Sequence, residues 1–345
     1  MKLSIVSTVA VESPGGQRSW DLEGYVAELR AAERLGFYGA YTGERRGRGG
    51  ASGKTAVTTS PELLCMYGLS QTESLVVGTQ ITLLPLHHPV RIIQDACVIN
   101  TLYPGRFRLG VGAGYTSEDF RAFGVPLEER GRRMEAGMEA IRAFIDERPI
   151  ELSAPYCGAI PAKDPGCGHP PEIMMGGWSR AGMRRAARFG DGWLSATIRT
   201  VTAEAELAAL YRTECRKLGK PARVVLSRDA GIAVTDAEAQ DRFGGYPLAY
   251  ARIYFERGGA FEARYEPWVT GIASSSEITL DMAAPDRFLI GSVETWLSTL
   301  AEWKKTIDPD EVVIRLRNFN GPSLQEELEQ MELIGREVIP VLADL

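Results

Sequence analysis

Glycine recurs at every second position in RFRLGVGAGYTSEDFRAFGV, residues Arg106–Val125. Gly110, Gly112 and Gly114 follow an apolar alternation and precede a polar turn and a helix start. A small-residue turn after a strand lets a phosphate or a flat ring approach the backbone closely. A second such turn, Met175-Gly176-Gly177-Trp178-Ser179, opens directly into a helix-forming stretch at Arg180. Free backbone N–H groups at a helix start, with a serine hydroxyl beside them, make an anion site. Gly112-Ala113-Gly114 and Gly176–Ser179 are therefore candidate contacts of one shared, phosphate-bearing cofactor.

Other stretches approach known chemistry and miss it. Gly110-x-Gly112-x-x-Tyr115 lacks the third glycine of a dinucleotide fingerprint, and Asp119 is too near to serve as its ribose-binding acid. RGGASGKT, residues 48–55, is one residue short of a P-loop, and the next helix starts only at Pro61. Gly177-Trp178-Ser179-Arg180-Ala181 departs from a nucleophile elbow at its last position. Cys157, Cys167 and His169 could ligate zinc but lack a fourth ligand and the usual short spacing. His87 and His88 precede Pro89, where capping or packing at a helix entry is the plain reading.

The elements that must position the two turns alternate strand and helix along the chain. Strands are expected at Leu3–Thr8, Tyr38–Thr42, Leu75–Thr79, Phe107–Gly112, Glu172–Gly176, Gly192–Ser195, Val224–Val234 and Glu311–Leu316. Helices are expected at Leu22–Leu35, from a Ser60 cap and Pro61, at Val90–Leu102, Glu128–Ile145, Arg180–Phe189, Ala203–Leu218, Val293–Lys304 and Leu324–Val338. Eight such units with no break in composition indicate an α/β fold: a single (β/α)₈ TIM barrel over residues 1–345, with a doubly wound sheet as the alternative. Ser153–Pro171 holds five prolines and reads as an insertion, and Arg257–Pro285 reads as a mobile lid on the catalytic face.

Composition bounds the partners. A chain of 345 residues with net charge −6 and a sequence pI near 5.4 is ill suited to nucleic acid or an anionic membrane. It has no apolar run of about 18 residues to span a bilayer. Five cysteines without a CxxC pair suit reduced thiols, and the N-terminal residues read as a first strand, so a cytoplasmic enzyme is expected.

Several motifs occur in a characteristic order. They are Ala32-Glu33-Arg34-Leu35-Gly36-Phe37, Val77-Gly78-Thr79 leading through Leu84-Pro85 to His88-Pro89-Val90-Arg91, and Gly105-Arg106-Phe107. Asp119–Val125, Gly190-Asp191-Gly192-Trp193 and Ile290-Gly291-Ser292 continue the series. On these the chain resembles the bacterial luciferase-like flavin-dependent monooxygenases over nearly its whole length. The resemblance implies a barrel, usually dimeric, binding reduced FMN or the deazaflavin F420 at its C-terminal mouth. Reduced FMN would bind O₂, form a C4a-hydroperoxide and oxygenate a small organic substrate, with a separate flavin reductase as a further partner. F420-dependent hydride transfer, or a non-catalytic accessory subunit, are the alternatives.

The resemblance also implies residue roles. The phosphate would meet Gly177, Trp178, Ser179 and Gly182. The family's strand-four arginine is Ala113 here, leaving Tyr115 or Arg199 as substitutes. The isoalloxazine would lie over Gly112, against a non-prolyl cis peptide matching Gln80-Ile81. The family's Glu-His-His appears as Glu44-Arg45-Arg46, so Arg45 replaces the luciferase histidine and cannot act as a base near neutral pH. Light emission from aldehydes is then not expected, and Arg45 would orient a peroxide or an anionic substrate. Glu44, Arg45 and His88 form the candidate catalytic set.

Overall fold

The computed structural model describes residues 1–12, 18–44, 60–152, 154–156, 158–160, 168–258, 261–318 and 320–344. Eight parallel strands close into a barrel: β1 Lys2–Val6, β2 Gly39–Thr42, β3 Val76–Thr79, β4 Phe107–Gly112, β5 Glu172–Gly176, β6 Gly192–Leu194, β7 Val224–Ile232 and β8 Glu311–Arg315. Each pairs with the next barrel strand in sequence, β7 reaching β8 across a long insertion, and β8 closes on β1. The strands read as near-continuous apolar runs because helices cover their outer faces. The expected strands all form, with β4 and β5 at the expected limits.

The outer ring is α1 Leu22–Arg34, α2 Pro61–Ser70, α3 Pro89–Leu102, α4 Arg130–Ile145, α5 Arg180–Phe189, α6 Val201–Lys217, α7 Val293–Thr306 and α8 Leu324–Leu333. Their ends follow local chemistry. Asp21 accepts from Gly24 N at 2.8 Å to start α1, and Ser323 with Glu326 forms a capping box at α8. Ser60 stands at the N-cap of α2 without a side-chain cap bond, and Pro61 fixes the first turn instead.

The N-terminal end of the barrel is plugged by charge. Arg108 lies 2.6 Å from both Glu311 and Glu172, and Glu311 also accepts from Ser4 Oγ at 2.6 Å and Tyr41 OH at 2.9 Å. Above this plug Tyr41, Met174, Leu194, Val225 and Val313 pack as an apolar layer, with Val6 and Ile81 against them. The barrel is thus filled from below and can open only at its C-terminal mouth.

The insertion after β7 starts earlier than the expected lid at Arg257. It begins with two helices that the sequence reading does not name, Asp236–Phe243 and Gly245–Glu256. Short helical turns follow at Pro267–Gly271, Ser275–Glu277 and Leu280–Ala283. Ala251, Ile278, Ala283 and Phe288 form a small core with Phe255, Phe261, Trp268 and Ile272. The segment named as a lid therefore packs on a helix of its own insertion. The expected reduced thiols hold at buried Cys65 and Cys215, whereas Cys97 on α3 is disulfide-bonded, which corrects the reading of five free cysteines.

Candidate active site

The two glycine turns lie side by side at the mouth, because β4 and β5 are paired neighbours with Met174 opposite Gly110. In the second turn Ser179 is the N-cap of α5, its Oγ accepting from Gly182 N at 3.0 Å. Gly177 is fixed from below by Trp193 Nε1, which donates to its carbonyl at 2.9 Å. A Cβ on Gly177 would meet only Gly182 Cα, 3.7 Å away, so the helix start presents uncovered backbone. Trp178 is exposed and its ring centroid lies 5.2 Å from that of Tyr115. Ala113 is half-buried and packs against the main core.

In the first turn the glycines do different work. At Gly112 the space a side chain would take is filled by Ile81 Cδ1, so this glycine admits a neighbouring residue and does not leave a bare face. Gly114 has φ +69° and packs against Phe120 and Leu83. The Gln80-Ile81 peptide is cis, as the resemblance implies. Gln80 Nε2 donates across the barrel to Ser227 Oγ on β7, while Gln80 Oε1 is buried without a hydrogen-bond partner. Ile81 reaches both Gly112 and Gly176, making an apolar floor beside that orphaned acceptor.

Glu44 is buried after β2. Its carboxylate accepts from Leu83 N at 2.7 Å and stands 2.8 Å from His87 Nε2. His88 is exposed at the N-cap of α3, edge-on to Tyr156 at 5.8 Å. The histidine that the fold brings to Glu44 is thus His87, and Pro89 fixing the start of α3 sends His88 outward. Arg45 lies outside the described residues, as do Cys157 and Cys167; no three-residue metal cluster occurs among the described residues.

Arg199, named as a substitute phosphate ligand, is otherwise engaged. It is buried and lies 2.6 Å from Glu262 and 3.3 Å from Glu204. Desolvation pushes the Glu204 carboxyl up to about 7 against the pull of Arg228 and Arg199. Arg287 adds a 2.6 Å contact to Glu266 and donates to Ile198 O at 3.0 Å. These charges tie the insertion to the loop after β6.

The insertion also crosses the mouth. It leaves from the end of β7, and Tyr115 OH donates to Tyr254 OH at 2.8 Å, which links helix Gly245–Glu256 to the β4 turn. Tyr254 was missed in the sequence because its helix was. The open helix start and the orphaned Gln80 oxygen fit a phosphate-bearing ring cofactor: one offers N–H donors to an anion, the other an acceptor to a ring N–H.

A family model described as luciferase-like monooxygenase matches residues 1–307. The 4-hydroxyprotoasukamycin monooxygenase of Streptomyces nodosus subsp. asukaensis is 27% identical over 241 residues, 67% of this chain and 62% of that protein. The alkanal monooxygenase alpha chain of Photorhabdus luminescens is 34% identical over 92 residues, 27% of this chain and 25% of that one. The chain thus spans less than two thirds of the length of these relatives. By fold it is similar to a monooxygenase from Streptomyces bottropensis, at TM-score 0.76, 18% identity and 99% coverage of both chains. It is equally similar to the FMN-bound 3,6-diketocamphane monooxygenase of Pseudomonas putida, at TM-score 0.76, 19% identity and coverage of 99% and 98%. An F420-dependent secondary alcohol dehydrogenase gives TM-score 0.76 at 13% identity, with coverage of 99% and 98%. With its barrel and with a family match over most of its length, the chain belongs to the luciferase-like monooxygenase family.

Proposed function

We propose that this chain is a flavin-dependent monooxygenase that takes reduced FMN and O₂ and oxygenates a small organic substrate. The observation that carries the reading is the coexistence, at one barrel mouth, of an uncovered α5 start and an apolar floor with an unpartnered Gln80 oxygen. Reduced flavin, when bound, supplies the activation of O₂ and the oxygen transfer. The chain supplies the rest. The Gly177–Ser179 backbone, with Gly182, would hold the phosphate, and Trp178 and Tyr115 would flank it. Ile81, with Gly112 and Gly176, would lie under the ring, and Gln80 Oε1 would accept from its imide N–H. Glu44 orients His87 through Nε2, and Arg45 is assigned to the substrate side. The insertion, latched through Tyr254, excludes water. A separate reductase would deliver the reduced flavin.

F420 carries the same imide, so the same floor suits hydride transfer without oxygen. Oxygen dependence of turnover separates the two, and failure to bind either cofactor would leave an accessory role. Ser179→Asp tests the phosphate site, because aspartate also caps helices while placing a like charge against the phosphate. FMN binding should weaken at least tenfold, about 1.4 kcal/mol, in a titration of the variant, with unfolding temperature little changed. Unchanged affinity would place the phosphate elsewhere.

The chain is further proposed to act as a homodimer. Leu63 and Tyr67 on α2, and Val98 and Leu102 on α3, are exposed one helical turn apart on neighbouring helices. Such an apolar face suits a second copy of itself. Leu63→Glu with Leu102→Glu should sediment as a monomer where the parent chain sediments as a dimer; a monomeric parent would contradict the assignment.

A further inference from the structure

At the mouth one cation is held with a donor unused. Arg315 ends β8, and its residue partner in register on β7 is Asp229. Val313 and Glu311, two and four positions earlier, face the barrel interior, so the strand period points Arg315 inward at the top. Its Nε lies 2.5 Å from Asp229 Oδ1, and its guanidinium carbon lies 4.5 Å from the Tyr250 ring centroid. Its Nη2 is buried and makes no hydrogen bond. Two residues below Asp229, Ser227 receives the bond from Gln80, which places the ion pair just above the floor already described.

This arrangement is specific. An arginine needed only to neutralise Asp229 would be expected to present both fork nitrogens to it or to water, and a buried donor left unmade is costly. Asp229 on one edge and Tyr250 on one face fix the guanidinium plane, leaving a preorganised N–H edge. The phosphate site at the α5 start belongs to β4 and β5, whereas Arg315 stands on β8, across the barrel. The aromatic rings near Arg315, Tyr250 and Tyr254, have centroids 6.4 Å apart.

Resting on the flavoenzyme reading above, we propose that Arg315 is a specificity-determining residue that binds the carboxylate of an aromatic organic acid as the substrate. The planar fork suits a carboxylate, and the neighbouring tyrosines suit a flat ring attached to it.

The test compares benzoate with its neutral counterpart benzamide, titrated into the FMN-loaded protein and, separately, into the protein without FMN. The parent protein should bind benzoate more tightly than benzamide by about tenfold. Arg315→Met combined with Asp229→Asn, which keeps the charge balance, should abolish that preference, and Arg315→Lys should retain part of it. FMN affinity should be unchanged in both variants. Equal binding of acid and amide, no saturable benzoate binding, or a preference that survives in the double variant would overturn the proposal. So would a large loss of FMN affinity, which would assign Arg315 to the cofactor. If FMN fails to bind while the benzoate preference holds and depends on Arg315, the flavin reading falls and the acid site stands.

Discussion

Gly110→Ala is expected to destabilise the fold by about 3 kcal/mol and to weaken FMN binding more than tenfold, whereas Gly112→Ala should cost less than about 1.5 kcal/mol. The two positions are two residues apart and differ in what a Cβ would strike. At Gly110 it would collide with the backbone carbonyl oxygen of Thr79 on β3. Thr79 Oγ1 also accepts from Gly110 N at 2.9 Å and donates to Gly110 O at 2.7 Å, so β3 and β4 are locked together there. Relief requires moving the strand end that carries Gln80 and Ile81. At Gly112 the obstacle is Ile81 Cδ1, the far end of a flexible side chain that can rotate away. Urea unfolding and FMN titration of both variants check the contrast; equal costs would mean that the β3–β4 contact does not shape the floor.

Arg317→Met should cost about 3–5 kcal/mol of folding free energy, the range for removing one partner of a buried ion cluster. Arg317 is buried between α1 and α8, in contact with Glu28, 2.7 Å from Glu327 and 3.7 Å from Asp21. Burial, then the neighbouring Glu28 charge, push the Glu327 carboxyl well above the ordinary carboxylate range, while Arg317 pulls it down. The folded chain therefore binds a proton at Glu327 more tightly than the unfolded chain does. That contribution is complete below the ordinary carboxylate pKa and is lost as pH rises through the raised folded value. Without Arg317 the two carboxylates face each other uncompensated. The variant should then gain stability on acidification across that window more steeply than the parent, as read from urea midpoints at acidic and neutral pH. A variant as stable as the parent at neutral pH would show the cluster to be dispensable.

Much of the barrel is legible in the sequence because its strands are short, mostly apolar runs and its helices carry apolar residues at helical spacing. Helices Asp236–Phe243 and Gly245–Glu256 escape that reading for a local reason. Gly244-Gly245 and Pro247 look like a break, yet Gly244 caps one helix and starts the next. The proposed anion cradle at Gly177 and Ser179 is legible because the turn and the helix start are contiguous. The site's long-range contacts are not. Asp229 meets Arg315 by register between neighbouring strands, Glu44 meets His87 where the loops after β2 and β3 come together, and Gln80 meets Ser227 across the barrel. Neighbouring histidines give no sign in the sequence of which one turns inward.

The central claim is tested most directly by binding isotherms for FMN, reduced FMN and F420 on one preparation, the reduced flavin titrated without oxygen. Saturable binding of reduced FMN, tighter than that of F420 and weakened at least tenfold by Ser179→Asp, is the predicted result. Binding of F420 alone, or of none of the three, would contradict the account.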